Sequence, residues 1–387
     1  MQQAKLVGLQ KALQQRAALQ QLRQPVTVEQ YGGRLLSIAG KSYLNFSGND
    51  YLGLATASEV VAAFAEGAAT YGAGSSGSPL VTGQHSVHVE LSELLADWLG
   101  LERVLLFSSG FAANQAMLLT LADKDDHLLL DKLSHASLID AALHSPATFK
   151  RFVHNDLASL NKALSSSISR EHQPMVVTEG VFSMDGDSPD LPAMLSLCQQ
   201  HDALLLLDDA HGLGVSGPEG KGTAVAQGLN NDQLFCYMAN FGKALGVAGA
   251  FVGGSKTVMD YLEQFGRHYV YSTALSPALC AAVIKSISLS RSQPWRREKL
   301  HSNIAFFRAQ AADLPLLASS SAIQGLVLGS SKRALHLSQQ LKQEGIWLSA
   351  IRPPTVPRGS ARLRITLSSH HSEQDIQHLL QSLRQYL

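Results

Sequence analysis

The sequence contains little cysteine and has no excess charge of either sign. Cys198, Cys236 and Cys280 are too few and too widely spaced for a disulfide framework, and no two have the close spacing of a zinc site. We therefore expect buried thiols in a reducing cytoplasm and no bound metal. Lysine plus arginine equals aspartate plus glutamate at 31 each, so net charge does not draw the protein to nucleic acid or to an anionic membrane.

Long apolar runs are also missing. No segment approaches the roughly 20 apolar residues that span a bilayer. The Gln-rich segment at residues 1–24 has the pattern of an amphipathic helix and lacks the uninterrupted apolar stretch of a signal peptide. A cytoplasmic protein is therefore predicted. With 387 residues and 45% apolar side chains, it can bury a core large enough for two or three structural units.

Common nucleotide-binding and hydrolase motifs are absent or out of place. Residues 72–77, GAGSSG, match the dinucleotide pattern G-x-G-x-x-G, but the preceding FAEGAATYG indicates the end of a helix where the pattern requires a strand. Lys221 and Lys243 each follow a glycine, but neither precedes the serine or threonine of a P-loop. The pattern G-x-S-x-G does not occur. These observations argue against nucleotide binding and serine hydrolysis.

Hydrophobic periodicity predicts an α/β fold. Residues 86–99 carry an apolar stripe at helical spacing, which indicates a helix packed on a core. The stripe consists of Val87, Leu91, Leu94, Leu95 and Trp98. Short apolar runs, separated by stretches long enough for helices, follow at Val104–Phe107, His127–Leu130, Met175–Thr178 and Leu204–Leu207. Buried strands that alternate with helices indicate a mostly parallel sheet.

The composition changes after about residue 285. A charged segment, SRSQPWRREKLHSN, is followed by a shorter β/α pattern that ends in a strand at Arg362–Leu367 and an amphipathic helix at 373–387. We therefore predict three parts. They are an N-terminal helix and small strand segment at 1–45, a large α/β domain at 46–285, and a small C-terminal α/β domain at 286–387.

Two polar groups at the ends of predicted elements could carry chemistry. Asp208 lies at the end of the strand ALLLLD, and Lys243 lies at the end of the segment NFGK. In an open parallel sheet, ligands bind outside the carboxyl ends of the strands. A carboxylate there can hold a pyridinium N–H, and a nearby lysine can carry such a cofactor as a Schiff base. The alternatives are a helix cap or ion-pair partner for Asp208 and a solvated surface charge for Lys243.

Two further features are ambiguous when each is taken alone. Residues 108–114, SSGFAAN, follow a predicted strand and precede a helix, so backbone N–H groups at a helix N-terminus could approach a phosphate. A helix cap with a tight turn explains the same residues equally well. His135, in DKLSHASL, could be a catalytic imidazole or a histidine whose hydrogen bonds are satisfied in the core.

Seven segments of the sequence match one enzyme family in order and spacing. They are NFSGNDYLGL (45–54), SSGFAANQA (108–116), LSHASL (133–138), VVTEGVFSMDGD (176–187), LDDAHGLGV (207–215), NFGKALG (240–246) and IRPPTVPRGSARLRITL (351–367). Together they resemble the α-oxoamine synthases, which depend on pyridoxal 5'-phosphate (PLP) and have the aspartate-aminotransferase fold, fold type I. The resemblance extends nearly from end to end.

This resemblance assigns roles around PLP. It implies that Lys243 binds the cofactor covalently and is catalytic, that Asp208 holds the pyridine nitrogen, and that His211 lies by the phenolic oxygen. His135 would stack on the ring, contact the substrate carboxylate and also be catalytic. Contacts to the cofactor are further implied for Gly110 and Phe111 through their backbones, Ser183, Asn240 and Thr273.

Two of these positions carry qualifications. Asn240 stands where the family commonly has a threonine that bonds the phosphate, and an amide can donate the same hydrogen bond. A strand-end cap without any phosphate contact is the alternative. Thr273 lies in a stretch that, in the family, reaches the phosphate of the other subunit. The resemblance therefore implies a homodimer with shared active sites, and ordinary strand–turn packing is the alternative.

Substrate contacts are implied for three residues in addition to His135. Arg364 would bind the amino-acid carboxylate, because a guanidinium can grip a carboxylate with two hydrogen bonds. Thr355 matches a substrate-contact position, and Arg23 matches one near the acyl donor, with a solvated surface arginine as the alternative. Arg362 and Arg352 are weaker candidates for the carboxylate and have a structural alternative.

The reaction implied is a decarboxylative condensation of an amino acid with an acyl thioester. KRFVHND (150–156) and AIRPPTVPRG (350–359) favour the members that join L-alanine to pimeloyl-CoA or pimeloyl-acyl-carrier protein in biotin biosynthesis. Sister enzymes, such as the 2-amino-3-ketobutyrate ligases that use glycine, share the PLP residues. A catalytically silent scaffold with this fold is a further alternative, which predicts loss of Lys243 or Asp208, and both are present.

Overall fold

The computed structural model describes residues 2–167 and 173–387 and divides the chain into two compact units. The large unit comprises Asn49–Ser183 and Asp187–Lys299. The small unit comprises Met1–Gly48, Met184–Gly186 and Leu300–Leu387. These bounds group the N-terminal segment with the C-terminal one. The three-part division at residues 45 and 285 stays a prediction.

Helices and strands alternate through most of the chain. The helices are α1 (Gln2–Ala18), α2 (Ser58–Tyr71), α3 (Ser86–Leu99), α4 (Gly110–Leu121), α5 (Ala136–His144), α6 (Leu157–Ser165), α7 (Leu191–Gln200), α8 (Thr223–Ala226), α9 (Lys256–Phe265), α10 (Arg267–Val270), α11 (Pro277–Ser292), α12 (Trp295–Gln310), α13 (Ser331–Gln343) and α14 (Glu373–Tyr386). The strands are β1 (Gln30–Tyr31), β2 (Leu35–Ile38), β3 (Lys41–Asn45), β4 (Arg103–Phe107), β5 (His127–Asp131), β6 (Thr148–Phe152), β7 (Met175–Glu179), β8 (Leu204–Asp208), β9 (Cys236–Asn240), β10 (Ala250–Gly254), β11 (Ile323–Gly329), β12 (Ile346–Trp347), β13 (Ala350–Ile351) and β14 (Ala361–Thr366).

The large unit is built on a seven-stranded sheet in the order β4-β10-β9-β8-β7-β5-β6. The five strands from β9 to β6 are parallel to their neighbours, and β10 is antiparallel to both β4 and β9. The strands β7 and β8 are almost wholly buried runs of apolar residues, as expected for a parallel sheet with both faces covered. The predicted mostly parallel sheet and its four strands are confirmed.

The small unit contains two further sheets. One has the order β1-β2-β3-β12, and the other is an antiparallel sheet in the order β11-β14-β13. Helix α14 begins with a capping box between Ser372 and Asp375, and Asp375 also receives two hydrogen bonds of 2.6 Å from Arg34. The strand and helix predicted near the C-terminus are therefore confirmed, as β14 and α14.

The predicted N-terminal helix is confirmed as α1. Its apolar side chains do not form a buried face, because every described side chain from residue 3 to residue 20 is exposed. Leu6, Val7, Leu9 and Leu13 each expose half or more of their surface. No helix in the described part of the chain is both long and apolar enough to cross a membrane.

The three cysteines are buried, unbonded thiols, as predicted. Each lies on a core element of the large unit, Cys198 on α7, Cys236 on β9 and Cys280 on α11. Burial raises the pKa of the Cys198 and Cys280 thiols to about 12, and it raises the pKa of Cys236 further still. These thiols are therefore protonated across the physiological pH range.

Candidate active site

The carboxyl ends of three neighbouring strands bring polar side chains together in the large unit. Strand β8 ends in Asp208 and strand β7 ends in Glu179, and these residues are direct partners in the parallel register. Both side chains are buried. The next strand, β9, ends in Asn240, three residues before Lys243. The sheet thus places a pair of carboxyl groups beside the segment that carries the predicted catalytic lysine.

Asp208 is held by hydrogen bonds on both carboxylate oxygens. Its Oδ1 accepts from the backbone N–H of Ala210 at 3.0 Å, and its Oδ2 accepts from Nδ2 of Asn114 at 2.8 Å. The same Asn114 nitrogen also donates to Oγ of Ser137 at 2.9 Å. Asn114 therefore connects the end of β8 to the start of α5 through both of its amide hydrogens.

These contacts fix the protonation of the His135 ring. Nδ1 of His135 lies 3.2 Å from the backbone N–H of Ser137 and 2.8 Å from Oγ of Ser137. Because Nδ1 accepts from the backbone N–H of Ser137, it carries no hydrogen, and the nearby Ser137 hydroxyl can only donate to it. Nδ1 is then an acceptor on both counts, so the ring is neutral with its proton on Nε2. His135 can therefore offer an N–H donor from Nε2.

The surroundings of His135 agree with a neutral ring. The side chain retains solvent-accessible surface, yet enough protein surrounds it for desolvation to lower its pKa. The positive charge of Lys243 lowers this pKa further, and the negative charge of Asp208 opposes the effect. The mutual influence of these charges shows that the fold brings Lys243, Asp208 and His135 within electrostatic range of one another.

Glu179 belongs to the same cluster. Its Oε1 accepts a short hydrogen bond from the backbone N–H of His135. Burial, reinforced by the negative charge of Asp208, raises the pKa of Glu179 well above its usual range, although the charge of Lys243 opposes the rise. Burial therefore disfavours the charged form of Glu179 relative to that of an exposed glutamate.

His211 lies three residues after Asp208 and is buried. Its Nδ1 is 2.6 Å from the hydroxyl oxygen of Tyr51, which is also buried. The Tyr51 hydroxyl further approaches Oδ1 of Asn49 at 3.4 Å. The tyrosine thus fixes the orientation of the imidazole that the resemblance places beside the phenolic oxygen of a cofactor.

The turn that carries Asp208 and His211 is built around the buried carboxylate of Asp209. Its oxygens accept from the backbone N–H of Thr223 at 2.7 Å, the hydroxyl of Thr223 at 2.6 Å and the hydroxyl of Tyr237 at 2.9 Å. Burial raises the pKa of Asp209 to about 6, although these hydrogen bonds lower it. At three surrounding glycines an added Cβ would lie 2.0 to 2.2 Å from a carboxylate oxygen. The three are Gly180, Gly212 and Gly222.

The N-terminus of α4 presents backbone N–H donors at the place where a phosphate contact is predicted. Ser109 caps the helix by accepting from the N–H of Ala112 at 3.2 Å. Within residues 2–167 and 173–387, the N–H groups of Gly110 and Phe111 have no protein acceptor. The helix cap and the free donors therefore coexist, which is the arrangement that binds phosphate at a helix N-terminus.

Asn240 lies next to these donors. A Cβ built on Gly110 would lie 3.6 Å from Asn240 Nδ2, so the amide stands beside the start of α4. Asn240 Oδ1 is buried without a hydrogen-bond partner in the described structure. An amide donor beside free backbone N–H groups suits a phosphate, and a buried carboxylate with a nearby lysine suits a pyridinium aldehyde. The residues present therefore fit PLP.

Two other predicted cofactor contacts of the large unit, Ser183 and Thr273, lie on loops. Ser183 is half-buried and Thr273 is exposed, in the segment between α10 and α11. Phe111 lies on α4, and its side chain is exposed. The contacts of these three residues with a cofactor stay predictions.

The arginines of strand β14 lie in the small unit and differ in their surroundings. Arg362 is buried and forms an ion pair of 2.7 Å with Asp185, which supports its structural alternative. Arg364 is also buried, and its Nη1 donates to Oγ1 of Thr366 at 3.2 Å. The role of Arg364 as the carboxylate ligand stays a prediction.

Two predicted substrate residues contact each other in the small unit. Nη2 of Arg23 donates to Oγ1 of Thr355 at 2.5 Å, and both residues are exposed. Arg352, a weaker candidate, donates to the backbone oxygen of Gln20. This contact joins the chain after α1 to the Pro-rich turn and gives Arg352 a structural role.

Sequence reasoning did not identify Asn114, Glu179 and Tyr51 as site residues. Glu179 carries the same signal as Asp208, a carboxylate directly after a buried apolar strand, so the pattern could have found it. Asn114 and Tyr51 lie inside matched segments but have no distinctive spacing of their own. Their contribution depends on contacts with residues far along the chain.

Comparisons with known proteins agree with this arrangement. Residues 41–383 match the family "Aminotransferase class I and II". Among curated relatives, the 8-amino-7-oxononanoate synthase of Aeromonas salmonicida (strain A449) is 52% identical over 363 residues, covering 93% of this chain and 90% of the relative. That of Photobacterium profundum is 49% identical over 351 residues, covering 90% of this chain and 89% of the relative.

Solved structures show the same fold. A serine palmitoyltransferase from S. paucimobilis with bound PLP-myriocin aldimine has a TM-score of 0.92 at 29% identity and covers 99% of this chain and 97% of its own. The 8-amino-7-oxononanoate synthase of Francisella tularensis has a TM-score of 0.76 at 31% identity, covering 89% and 97%. The predicted fold type I is confirmed. The chain belongs to the class I and II aminotransferase family, and its curated relatives at about 50% identity are 8-amino-7-oxononanoate synthases.

Proposed function

We propose that this protein is a PLP-dependent acyltransferase that condenses L-alanine with a pimeloyl thioester in biotin biosynthesis. The products are 8-amino-7-oxononanoate, carbon dioxide and the free thiol. The observation that carries the proposal is the grouping of Lys243, Asp208 and His135 in a chain whose relatives bear the name of this activity. All three residue types are those that PLP chemistry at an α-carbon requires.

The protein would hold the cofactor at both ends. When bound, PLP supplies an electron-withdrawing ring that stabilises negative charge on the α-carbon of an amino acid. The buried carboxylate of Asp208 keeps a proton on the ring nitrogen, and Asn114 keeps that carboxylate in place. The backbone N–H groups of Gly110 and Phe111, with the Asn240 amide, bind the phosphate.

Lys243, His135 and Arg364 would have different roles in the reaction. Lys243 would be the residue that holds the cofactor covalently, and its Nζ would remove the α-proton of L-alanine and later return a proton. His135 donates from Nε2 to the substrate carboxylate, because its Nδ1 is occupied by Ser137. The guanidinium of Arg364, in the small unit, is the proposed ligand of the amino-acid carboxylate.

We also propose that the active protein is a homodimer. Thr273 is exposed in a single chain, so it is available to the phosphate site of a second copy. Ser183 and His211 would contact the ring side and the phenolic oxygen of the cofactor, while Thr355 and Arg23 would contact the acyl donor. A cytoplasmic location, testable by cell fractionation, stays a prediction.

The proposed activity is tested with purified, PLP-loaded protein. L-Alanine is added with pimeloyl-CoA or pimeloyl-acyl-carrier protein, and thiol release, carbon dioxide and product mass are measured. We expect one thiol and one carbon dioxide per 8-amino-7-oxononanoate, and loss of turnover in Lys243→Ala. The same assay with the two donors identifies the carrier. Turnover with glycine in preference to alanine would instead indicate a 2-amino-3-ketobutyrate ligase, and failure to bind PLP would indicate a silent scaffold.

A further inference from the structure

A histidine outside the predicted site bridges two carboxylates in the large unit. Nδ1 of His154 lies 2.8 Å from Oδ1 of Asp131, and Nε2 lies 2.8 Å from Oδ2 of Asp187. A carboxylate oxygen can only accept when ionised, so both ring nitrogens must donate. The bridge therefore requires a positively charged imidazolium between two anions.

The Asp131 end of the bridge organises the segment that leads to His135. Asp131 is the last residue of β5 and is fully buried. Its Oδ1 accepts from the N–H of Leu133 at 2.8 Å, and its backbone oxygen accepts from the N–H of Ser134 at 3.1 Å. These bonds shape the turn that presents His135 at the start of α5.

The Asp187 end organises the loop that carries Ser183. The backbone oxygen of Asp187 accepts from the N–H of Phe182 at 2.9 Å, which closes the loop on itself. The Phe182 ring is buried and meets the His154 ring edge to face, with centroids 4.4 Å apart and planes at 89°. The bridge therefore fixes both ends of this loop.

Asn155 adds a second, parallel bridge between the same two carboxylates. Its backbone N–H donates to Oδ2 of Asp131 at 3.0 Å, and its Nδ2 donates to Oδ2 of Asp187 at 2.8 Å. Asn155 has a φ of 50°, a left-handed conformation that asparagine tolerates better than most residues. The consecutive residues His154 and Asn155 thus both connect Asp131 to Asp187 by hydrogen bonds.

The electrostatics are consistent with a permanent cation. Burial alone would lower the pKa of His154, but the hydrogen bonds with Asp131 and Asp187 outweigh it and raise the pKa to about 10. The side chain of Asp131 is inaccessible to solvent, and that of His154 is largely covered. Solvent screening of this bridge is therefore weaker than for a surface ion pair.

We propose that His154 is a positioning residue for the reaction, and that its imidazolium holds the turn bearing His135 and the loop bearing Ser183 at a fixed separation. The inference rests on the proposed function, because His135 and Ser183 are its predicted cofactor contacts. His154 itself need not touch cofactor or substrate. Its effect is transmitted through Asp131 on one side and Asp187 on the other.

A double-mutant cycle with His154→Gln and Asp187→Asn tests this inference. Glutamine retains a donor but has no positive charge, so the two loops lose the charged bridge and keep only the hydrogen bonds of Asn155. We expect each single variant to bind PLP and to lose roughly 10- to 100-fold in kcat/KM for L-alanine, as small misplacements of reacting groups commonly cause. The double variant should lose no more than the worse single variant, since both remove one bridge.

The matched control is His144→Gln. His144 also pairs with an aspartate, Asp140, but at 3.6 Å on the exposed surface. It should retain wild-type kcat/KM within about twofold, as is usual for exposed pairs. The visible circular dichroism of the bound cofactor should change in His154→Gln and not in the control, and hydrogen exchange should accelerate in peptides covering residues 131–138 and 180–187.

The outcomes separate this inference from the proposed function. Multiplying effects in the double variant, or an unchanged kcat/KM, dichroism and exchange in His154→Gln, would overturn the positioning role. If wild-type protein shows no condensation of L-alanine, the proposed function fails. In that case the exchange of the two peptides still decides whether His154 joins the loops.

Discussion

The amide of Asn114 is the point at which Asp208 and His135 are joined. One amide hydrogen bonds the Asp208 carboxylate and the other bonds the Ser137 hydroxyl, which in turn donates to His135. A single neutral side chain therefore connects the Asp208 carboxylate to the Ser137 hydroxyl that bonds the imidazole of His135. The two predicted contacts are not independent.

Replacing Asn114 with alanine should weaken cofactor binding. Asp208 and Ser137 would each lose a donor inside a buried cluster, at a cost of about 1–3 kcal/mol. We expect the PLP dissociation constant to rise roughly tenfold or more, measured by titration of the visible absorbance. Gln115→Ala is the matched control, since the Gln115 amide donates at 2.6 Å to Asp140, away from the cluster. Equal dissociation constants for the two variants would contradict the prediction.

The charged residues that follow apolar strands could be predicted from the sequence. Their hydrogen-bond partners could not. Asp208 and Lys243 were identified because a charged side chain close to the end of a buried strand requires a binding partner or a function. Tyr51 and Asn114 have no such signal, because their contacts with His211 and Asp208 span 160 and 94 residues of chain. Only the fold determines which distant residue supplies the hydrogen bond.

The turn between β8 and α8 depends on a carboxylate enclosed by glycines. Asp209 receives three hydrogen bonds, and the absence of side chains at the surrounding glycines leaves room for it. A Cβ on Gly212 would come within 2.1 Å of both Asp209 Oδ1 and Thr223 Oγ1. Glycine is needed at position 212 for space.

Gly212→Ala should therefore destabilise the large unit. The added methyl group must displace a buried, hydrogen-bonded carboxylate, and we expect a loss of about 3 kcal/mol in the free energy of unfolding. Gly74→Ala is the control, because a Cβ there meets nothing within 4 Å. Urea unfolding of both variants measures the difference. Similar midpoints would show that the turn can relax around the methyl group.

Among the strands, the buried β5, β7 and β8 were predictable, whereas the edge strand β6 was not. Strands β5, β7 and β8 lie inside the sheet and read as continuous apolar runs. Strand β6, TFKRF, lies at one edge of the sheet and is mostly exposed, so its composition resembles that of a loop. The glycine-rich AFVGG of β10 also lacks a strand pattern, although it is wholly buried.

The grouping of residues 1–48 with residues 300–387 arises at the scale of the whole molecule. Composition changes along a chain locate boundaries between consecutive segments, but they do not show that two distant segments pack into one unit. Strand β12 pairs with β3 across some 300 residues. The sequence pattern within one strand does not indicate which distant strand it pairs with.

Shared active sites in a homodimer can be tested by mixing inactive variants. Lys243→Ala removes the catalytic amine, and Thr273→Glu places a negative charge where the phosphate of the partner would bind. A mixed dimer has one site with both native residues, so activity should recover to about a quarter of the wild-type value after random reassortment. Each variant alone should remain inactive. If the mixture stays inactive although mass spectrometry detects mixed dimers, the sites are not shared.

The buried cysteines have a practical consequence for measuring turnover. Disulfide reagents such as 5,5'-dithiobis(2-nitrobenzoate) react with thiolates, and Cys198, Cys236 and Cys280 are both inaccessible and protonated in the folded protein. Colour formed in a continuous assay would therefore report the thiol released from the acyl donor, without background from the enzyme. The same reagent would react with the enzyme once it unfolds, so a slow rise in colour without substrate would give the rate of unfolding.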